Sequence, residues 1–346
     1  MTPIGEWGSL RLRIRYMQEL VMPREEYNPL RQLLLEPGLP AVKALADLCR
    51  TDRQPLATSI LHAFNECGRG AELARELVSA ELARECDPRA MFRAASLATA
   101  VVDEFMHSQC KPFLQAAISE TVQKLIDAKQ SAELNPTKMD SPEDACNNAE
   151  FLLMILDQIT LSIFTSPEAC PRPVRYLCGC LQRAAVAKWP SERFVRTRVV
   201  SGFIFLRLIC PALVEPRAWA LVSAAPPPHA QRSLLMVAKC LQNLANLIEF
   251  GAKEPYMEVV NPFILKNKER MVVFLDQLSN VPDPGNPPPS SNNCDIAKEL
   301  ATLHHICVSH LTELQGLAKS QPAIRKLVTV TEMLTKHKHK YLEMIR

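Results

Sequence analysis

From Pro23 to the last residues, apolar side chains return every three or four positions, and the breaks in that rhythm are prolines or polar clusters. A period near 3.6 lines apolar residues along one face of an α-helix, so such a chain has to bury a set of helical stripes against one another. The segments near 41–51, 54–66, 71–84, 94–107 and 111–128 carry the pattern, as do 146–165, 172–187, 193–209, 230–249, 259–279, 295–317 and 322–343. Two proline-rich stretches interrupt it, 135–142 and 281–291. Proline lacks a backbone donor and turns the residue before it away from helix, so both read as loops. One stretch has period two: Leu10-Arg11-Leu12-Arg13-Ile14-Arg15-Tyr16 alternates like a half-exposed strand, and a lone strand does not stand by itself. No internal repeat of fixed period is present.

The chain has 346 residues, 47% of them apolar, ample for the core of one large domain or two smaller ones. Forty basic residues against 37 acidic ones leave a net charge of +3, too balanced for a nucleic-acid partner, so any basic recognition surface is local. Among the 10 glycines there is no Gly-x-Gly-x-x-Gly and no Gly-Lys-Ser/Thr, the loops that cradle phosphates; the chain is read as binding no nucleotide alone. Twelve cysteines are scattered through apolar segments with no secretory leader, the usage of reduced cytoplasmic thiols. Cys178-Gly179-Cys180 lacks a second pair at zinc spacing, and His304, His305, Cys307 and His310 fit no ligand pattern, so no metal is expected. No run is read as reaching the ~20 apolar residues of a membrane span. Action at a membrane would depend on segments outside this sequence.

Within the apolar run 203–211, a single arginine, Arg207, interrupts the stripe, and Pro211 is expected to stop it. Arginine is almost never buried without an acceptor, so Arg207 requires hydrogen-bond partners or a route to solvent. A second arginine, Arg93, stands in Met91-Phe92-Arg93-Ala94-Ala95-Ser96-Leu97-Ala98. Pro88 holds the chain before it extended, and Ser96 suits a helix N-cap, which would present Arg93 from a loop anchored at a helix start.

These two segments, Phe92-Arg93 with Ser96-Leu97-Ala98 and Phe205-Leu206-Arg207-Leu208-Ile209-Cys210-Pro211-Ala212, resemble the finger loop and the Phe-Leu-Arg signature of Ras GTPase-activating proteins. The similarity runs from Gly8 to the C-terminal helices. It includes Arg196 to Phe203, Gln242 to Leu247 and Phe250 to Met257, and is closest to the Src-homology-containing branch of the family. A lone Phe-Leu-Arg is weak; the ordered set at matching spacing is strong. The resemblance implies an all-α fold with a central catalytic part near 68–285 and a smaller helical part built from both ends, 23–67 and 286–346. Residues 1–22 would be the strand remnant of a preceding C2-type domain or an N-terminal extension. It also implies a regulator, not an enzyme in its own right, that acts on GTP-bound Ras-family GTPases in the cytoplasm, recruited to the inner face of the plasma membrane. The alternative is a non-catalytic GTPase-binding module or scaffold; the finger arginine, present as Arg93, separates the two.

By the same resemblance, Arg93 is the arginine finger inserted in trans beside the β- and γ-phosphates of GTP. Arg207 braces the finger loop by donating to its backbone carbonyls, a task suited to a guanidinium with five fixed donors. Phe92, Leu206, Asn246 and Lys253 are implied at the partner interface, Leu206 near the catalytic glutamine of the GTPase and Lys253 as a charge facing an acidic surface. Ser96, Phe205 and Pro211 are implied as support, and Lys239 with Glu254 as a structural ion bridge. No cofactor belongs to the chain itself, because GTP and Mg2+ are held by the partner. Ala95 departs from the Asn or Thr usual in the family and removes one hydrogen-bonding side chain near the tip.

Overall fold

Proline marks where many of the helices begin. The first turn of a helix has no intrahelical use for the amide that proline lacks, and the fixed φ of proline suits that turn. Pro29, Pro40, Pro112, Pro173, Pro228 and Pro262 each occupy a first or second helical position. The computed structural model describes residues 20–51, 53–88, 90–139, 141–283 and 295–345, and every regular element among them is helical. In chain order these are α1 (Asn28–Leu34), α2 (Pro40–Leu48), α3 (Arg53–Asn65), α4 (Gly70–Arg84), α5 (Leu97–Gln109), α6 (Lys111–Asp127), α7 (Ala145–Thr165), α8 (Arg172–Lys188), α9 (Val195–Ser201), α10 (Cys210–Val214), α11 (Pro228–Ala245), α12 (Asn261–Ser279), α13 (Ile296–Ser309), α14 (Leu311–Ser320) and α15 (Pro322–Ile345). The fold is all-α, as the resemblance implies. The strand expected at 10–16 lies outside the described residues, as does most of the proline-rich 281–291 stretch.

Both ends of the chain pack together. Helices α1 and α2 lie against α15, while α3 packs between α13 and α5. Beyond them α4 contacts α5 and α8, and α11 contacts α7, α10 and α12. Apolar residues from Met22 to Leu334 join in one continuous core. The described cysteines are free thiols.

The structure corrects three expectations. The helix expected over 295–317 is two, because His310 at φ −110 and ψ 21 closes α13 and opens α14. Two helical stretches, Ala145–Thr165 and Val195–Val214, are in fact long and apolar enough to cross a bilayer. Half and two-thirds of their apolar windows are buried inside the fold, where core helices covered on several sides need such composition. Nor does Pro211 stop its helix. The rod runs from α9 through a π-helical segment, Gly202–Ile209, into α10, with the Cys210 amide donating to the Phe205 carbonyl. A proline inside a helix removes one bond and presses its ring on the carbonyl four residues back, here that of Arg207; the wider π turn relieves that clash.

Candidate functional site

The loop between α4 and α5 is fastened at its start, its end and its tip. At its start, Lys188 at the end of α8 donates to the carbonyls of Leu82 and Ala83 at 2.7 Å and of Glu85 at 2.5 Å. These are carbonyls a helix C-terminus leaves unpaired, and a cation also complements the dipole there. At its end, Ser96 caps α5: the Thr99 amide donates to Ser96 Oγ at 3.0 Å and the Ser96 amide to Thr99 Oγ1 at 2.9 Å. This capping box starts the helix at Leu97, three residues later than the apolar pattern suggested. Ser96 Oγ also donates to Glu81 on α4. Burial pushes the Glu81 carboxyl above its usual range, with Ser96 and Arg207 drawing it back.

The tip is held from the π segment. Arg207 Nε and Nη2 donate to the Phe92 carbonyl at 3.0 and 2.5 Å, and Nη2 reaches the Ala94 carbonyl at 3.3 Å. Its remaining nitrogen, Nη1, pairs with Asp103 of α5 at 2.9 Å. Phe92 adopts φ +58, a left-handed conformation that costs a non-glycine residue about 1–3 kcal/mol. The two bonds to its carbonyl and the burial of its ring, edge-on to Phe203 at 6.2 Å, offset that strain. Phe92, which the resemblance put at the partner interface, has only 4% of its surface exposed: its side chain is part of the core and its backbone turns the chain. The turn leaves Arg93 exposed between two restrained carbonyls. Its guanidinium has no hydrogen bond or ion pair among the described residues.

Arg93 faces a cavity of about 320 Å³ that Leu206 and Asn246 also line, together with Arg198, Gly202 and Gln242. Leu206 is half-buried on the π segment, while its neighbour Phe205 points into the core, edge-on to Phe274 at 6.4 Å. Asn246 ends α11. Leu247 follows at φ +59, with Leu247 and Ile248 amides bonded back to Leu244 and Asn243 at 3.0 Å, a Schellman closure with leucine where glycine is usual. Lys253 is exposed in the next turn and does not line the cavity. Lys239 and Glu254 form an ion pair at 2.5 Å that also accepts the Tyr256 hydroxyl at 2.9 Å, tying α11 to the turn that carries Lys253.

Sequence reasoning missed Asp103, Glu81, Lys188 and Arg198. Each is an ordinary helical charge in the sequence, and only tertiary placement gives it a role. A larger cavity of about 760 Å³, between the α6–α7 loop and the start of α11, contains none of the expected residues. Size does not assign a role to either cavity, since a groove that receives a macromolecule is open and need not be the larger hole.

Residues 139–246 match the family described as GTPase-activator protein for Ras-like GTPase. That segment includes Leu206, Arg207, Lys239 and Asn246, and stops short of Arg93. Similarity to individual proteins extends across the α4–α5 loop that carries Arg93. The chain is 43% identical over 340 residues to Ras GTPase-activating protein 1 of Homo sapiens, covering 97% of this chain and 32% of that protein. It is 35% identical over 301 residues to Probable Ras GTPase-activating-like protein ngap of Dictyostelium discoideum, covering 87% of this chain and 34% of that protein. Against Ras GTPase-activating protein 3 of Mus musculus the identity is 32% over 284 residues, 79% of this chain and 34% of that protein. The chain spans about a third of the length of these curated relatives. With an all-α fold, a fastened loop and this extent of similarity, it belongs to the family of Ras GTPase-activating proteins.

Proposed function

We propose that this chain accelerates GTP hydrolysis by a GTP-bound Ras-type GTPase, inserting Arg93 into the partner's active site. Transfer of the γ-phosphoryl group to water spreads negative charge over phosphate oxygens, and a guanidinium delivered from outside neutralises it without covalent chemistry. The observation that carries this reading is Arg207, whose guanidinium holds the Phe92 and Ala94 carbonyls on either side of the exposed Arg93. A loop restrained in this way loses little freedom on docking, so more of the binding energy remains for the transition state. Leu206 and Asn246, on the wall that Arg93 overhangs, suit contact with the switch regions of the GTPase. GTP and Mg2+ stay with the partner in this reading, and the chain supplies position and charge. Its place of action is the cytoplasmic face of the plasma membrane, reached through segments outside this chain.

Arg93→Ala tests the proposal. Stimulated hydrolysis should fall about 10³-fold or more, roughly 4 kcal/mol, a magnitude taken from arginine fingers on Ras-type GTPases as a class. Binding to the GTP-loaded partner should stay within a few-fold. Arg93→Lys should restore little, because an ammonium cannot fork across two phosphate oxygens. Retention of most of the activity by Arg93→Ala would refute the finger role.

A further inference from the structure

We infer that Arg198 receives an acidic side chain of the docked GTPase and thereby selects partners by charge beside the catalytic groups; this rests on the function proposed above. Arg198 lies on α9, with Gly202 and Leu206 one and two turns further along the rod, and all three line the cavity that Arg93 and Asn246 share. The side chain is half-buried, and its guanidinium makes no hydrogen bond or ion pair among the described residues. Its near neighbour Arg196 is paired with Asp276 of α12 at 2.9 Å, so a neighbouring helix supplies an acceptor to that arginine and none to Arg198. A guanidinium that has lost part of its hydration without gaining an acceptor is a standing cost to the free protein, removed when a partner brings the acceptor. Gly202 makes room for one. A side-chain carbon built at Gly202 would meet nothing within 4 Å, leaving an open bay between Arg198 and Leu206. Arg198 stands on a fixed wall, whereas Arg93 stands on a projecting loop. A nucleotide phosphate lies inside the GTPase and is reached only by the projecting arginine; the wall arginine is reached by a carboxylate on the GTPase surface. Arginine is also the charged residue most favoured at the centre of interfaces, where its planar fork binds a carboxylate through two parallel bonds.

The test is single-turnover GTP hydrolysis by a GTP-loaded Ras-type GTPase, titrated with wild type, Arg198→Ala, Arg198→Glu and Gly202→Ala, each checked for folding by circular dichroism. Arg198→Ala should raise the half-saturating concentration about tenfold while the plateau rate stays within about twofold, and Arg198→Glu should raise it further. Gly202→Ala should raise half-saturation by closing the bay with charge unchanged. Arg198→Glu should be rescued by a GTPase variant in which one exposed Asp or Glu of the switch surface is changed to Lys. Unchanged half-saturation in folded Arg198→Ala, a plateau loss without change in half-saturation, or failure of every charge-swapped GTPase to rescue would overturn the inference. Arg93→Ala in the same series separates the two readings. Full activity there sinks the finger function itself, whereas its loss alongside an unaltered Arg198→Ala removes only the role of Arg198.

Discussion

Asp103 has one carboxylate oxygen on Arg207 at 2.9 Å and the other buried with no hydrogen-bond partner. Burial raises its pKa above the ordinary 3.8, and the charge and hydrogen bond of Arg207 recover only part of the shift. A carboxyl with a raised pKa in the folded state holds its proton longer there than in the unfolded chain. Stability from this group is therefore greatest at low pH and falls as pH rises from 3.8 through the raised value. In Asp103→Asn that part of the decline should vanish, leaving the similar contribution of Glu81, whose pKa is also raised by burial. Urea midpoints between about pH 4 and 7 measure it; an unchanged slope in Asp103→Asn would show that the aspartate titrates normally. Arg207→Lys makes the complementary point. It keeps the charge, so the fold should survive, but one ammonium cannot span two carbonyls and a carboxylate, and stimulated hydrolysis should fall at least tenfold with little change in binding. Circular dichroism and hydrolysis on the same sample check this. At this scale the sequence pointed to Arg207 because a lone charge in an apolar stripe demands acceptors. It could not say which acceptors, since Phe92, Ala94 and Asp103 lie more than a hundred positions away.

The element that aims these residues is the π segment Gly202–Ile209, and its cause is Pro211 at the start of α10. One residue more or less in a helix rotates everything beyond it by about 100°, so the register set by the π turn decides which side chains face the α4–α5 loop. Pro211→Ala restores an amide and removes the ring clash, allowing ordinary α-helical register. The variant should be as stable as wild type or more so, since alanine is the better helix former by up to about 3 kcal/mol. Stimulated hydrolysis should nonetheless fall tenfold or more, as Leu206 and Arg207 turn away from the cavity and the Phe92 carbonyl. Thermal midpoint and hydrolysis rate measured together test this, and full activity would mean that core packing of Phe203 and Phe205 holds the π turn without the proline. Apolar spacing located most of the helices to within a few residues, because tertiary burial follows the same 3.6-residue period. It could not reveal the π turn, which keeps the stripe apolar throughout, nor the break at His310, where the stripe continues across a change of axis. The late start of α5 was legible in Ser96, read as a helix N-cap and found capping the helix at Leu97, although the apolar pattern alone ran three residues further back.

Across the whole molecule, long-range contacts bring the chain ends together: Ser59 donates to Glu299 at 2.6 Å across 240 positions, and His337 pairs with Glu26 at 2.9 Å. Helical class was readable from periodicity, whereas the neighbours of each helix were not, because any apolar stripe can pack against many others. Charge behaves similarly. A net +3 from 40 basic and 37 acidic residues gives little overall field, so attraction to a partner has to come from local placement. In the function proposed above Lys253 is such a placement: it is exposed, in the turn after Asn246, and carried by the Lys239–Glu254 tie without lining the cavity. Lys253→Glu should therefore weaken association with a GTP-loaded Ras-type GTPase. The loss should shrink as salt rises, since exposed charges are screened beyond about 10 Å at 0.1 M. Saturating activator should restore the rate, because Arg93 and its supports are untouched. Hydrolysis titrated against activator at two ionic strengths reads both quantities. A lowered plateau with unchanged half-saturation would instead put Lys253 in the chemistry or the fold, and a salt-independent shift would make its contribution one of shape and not charge.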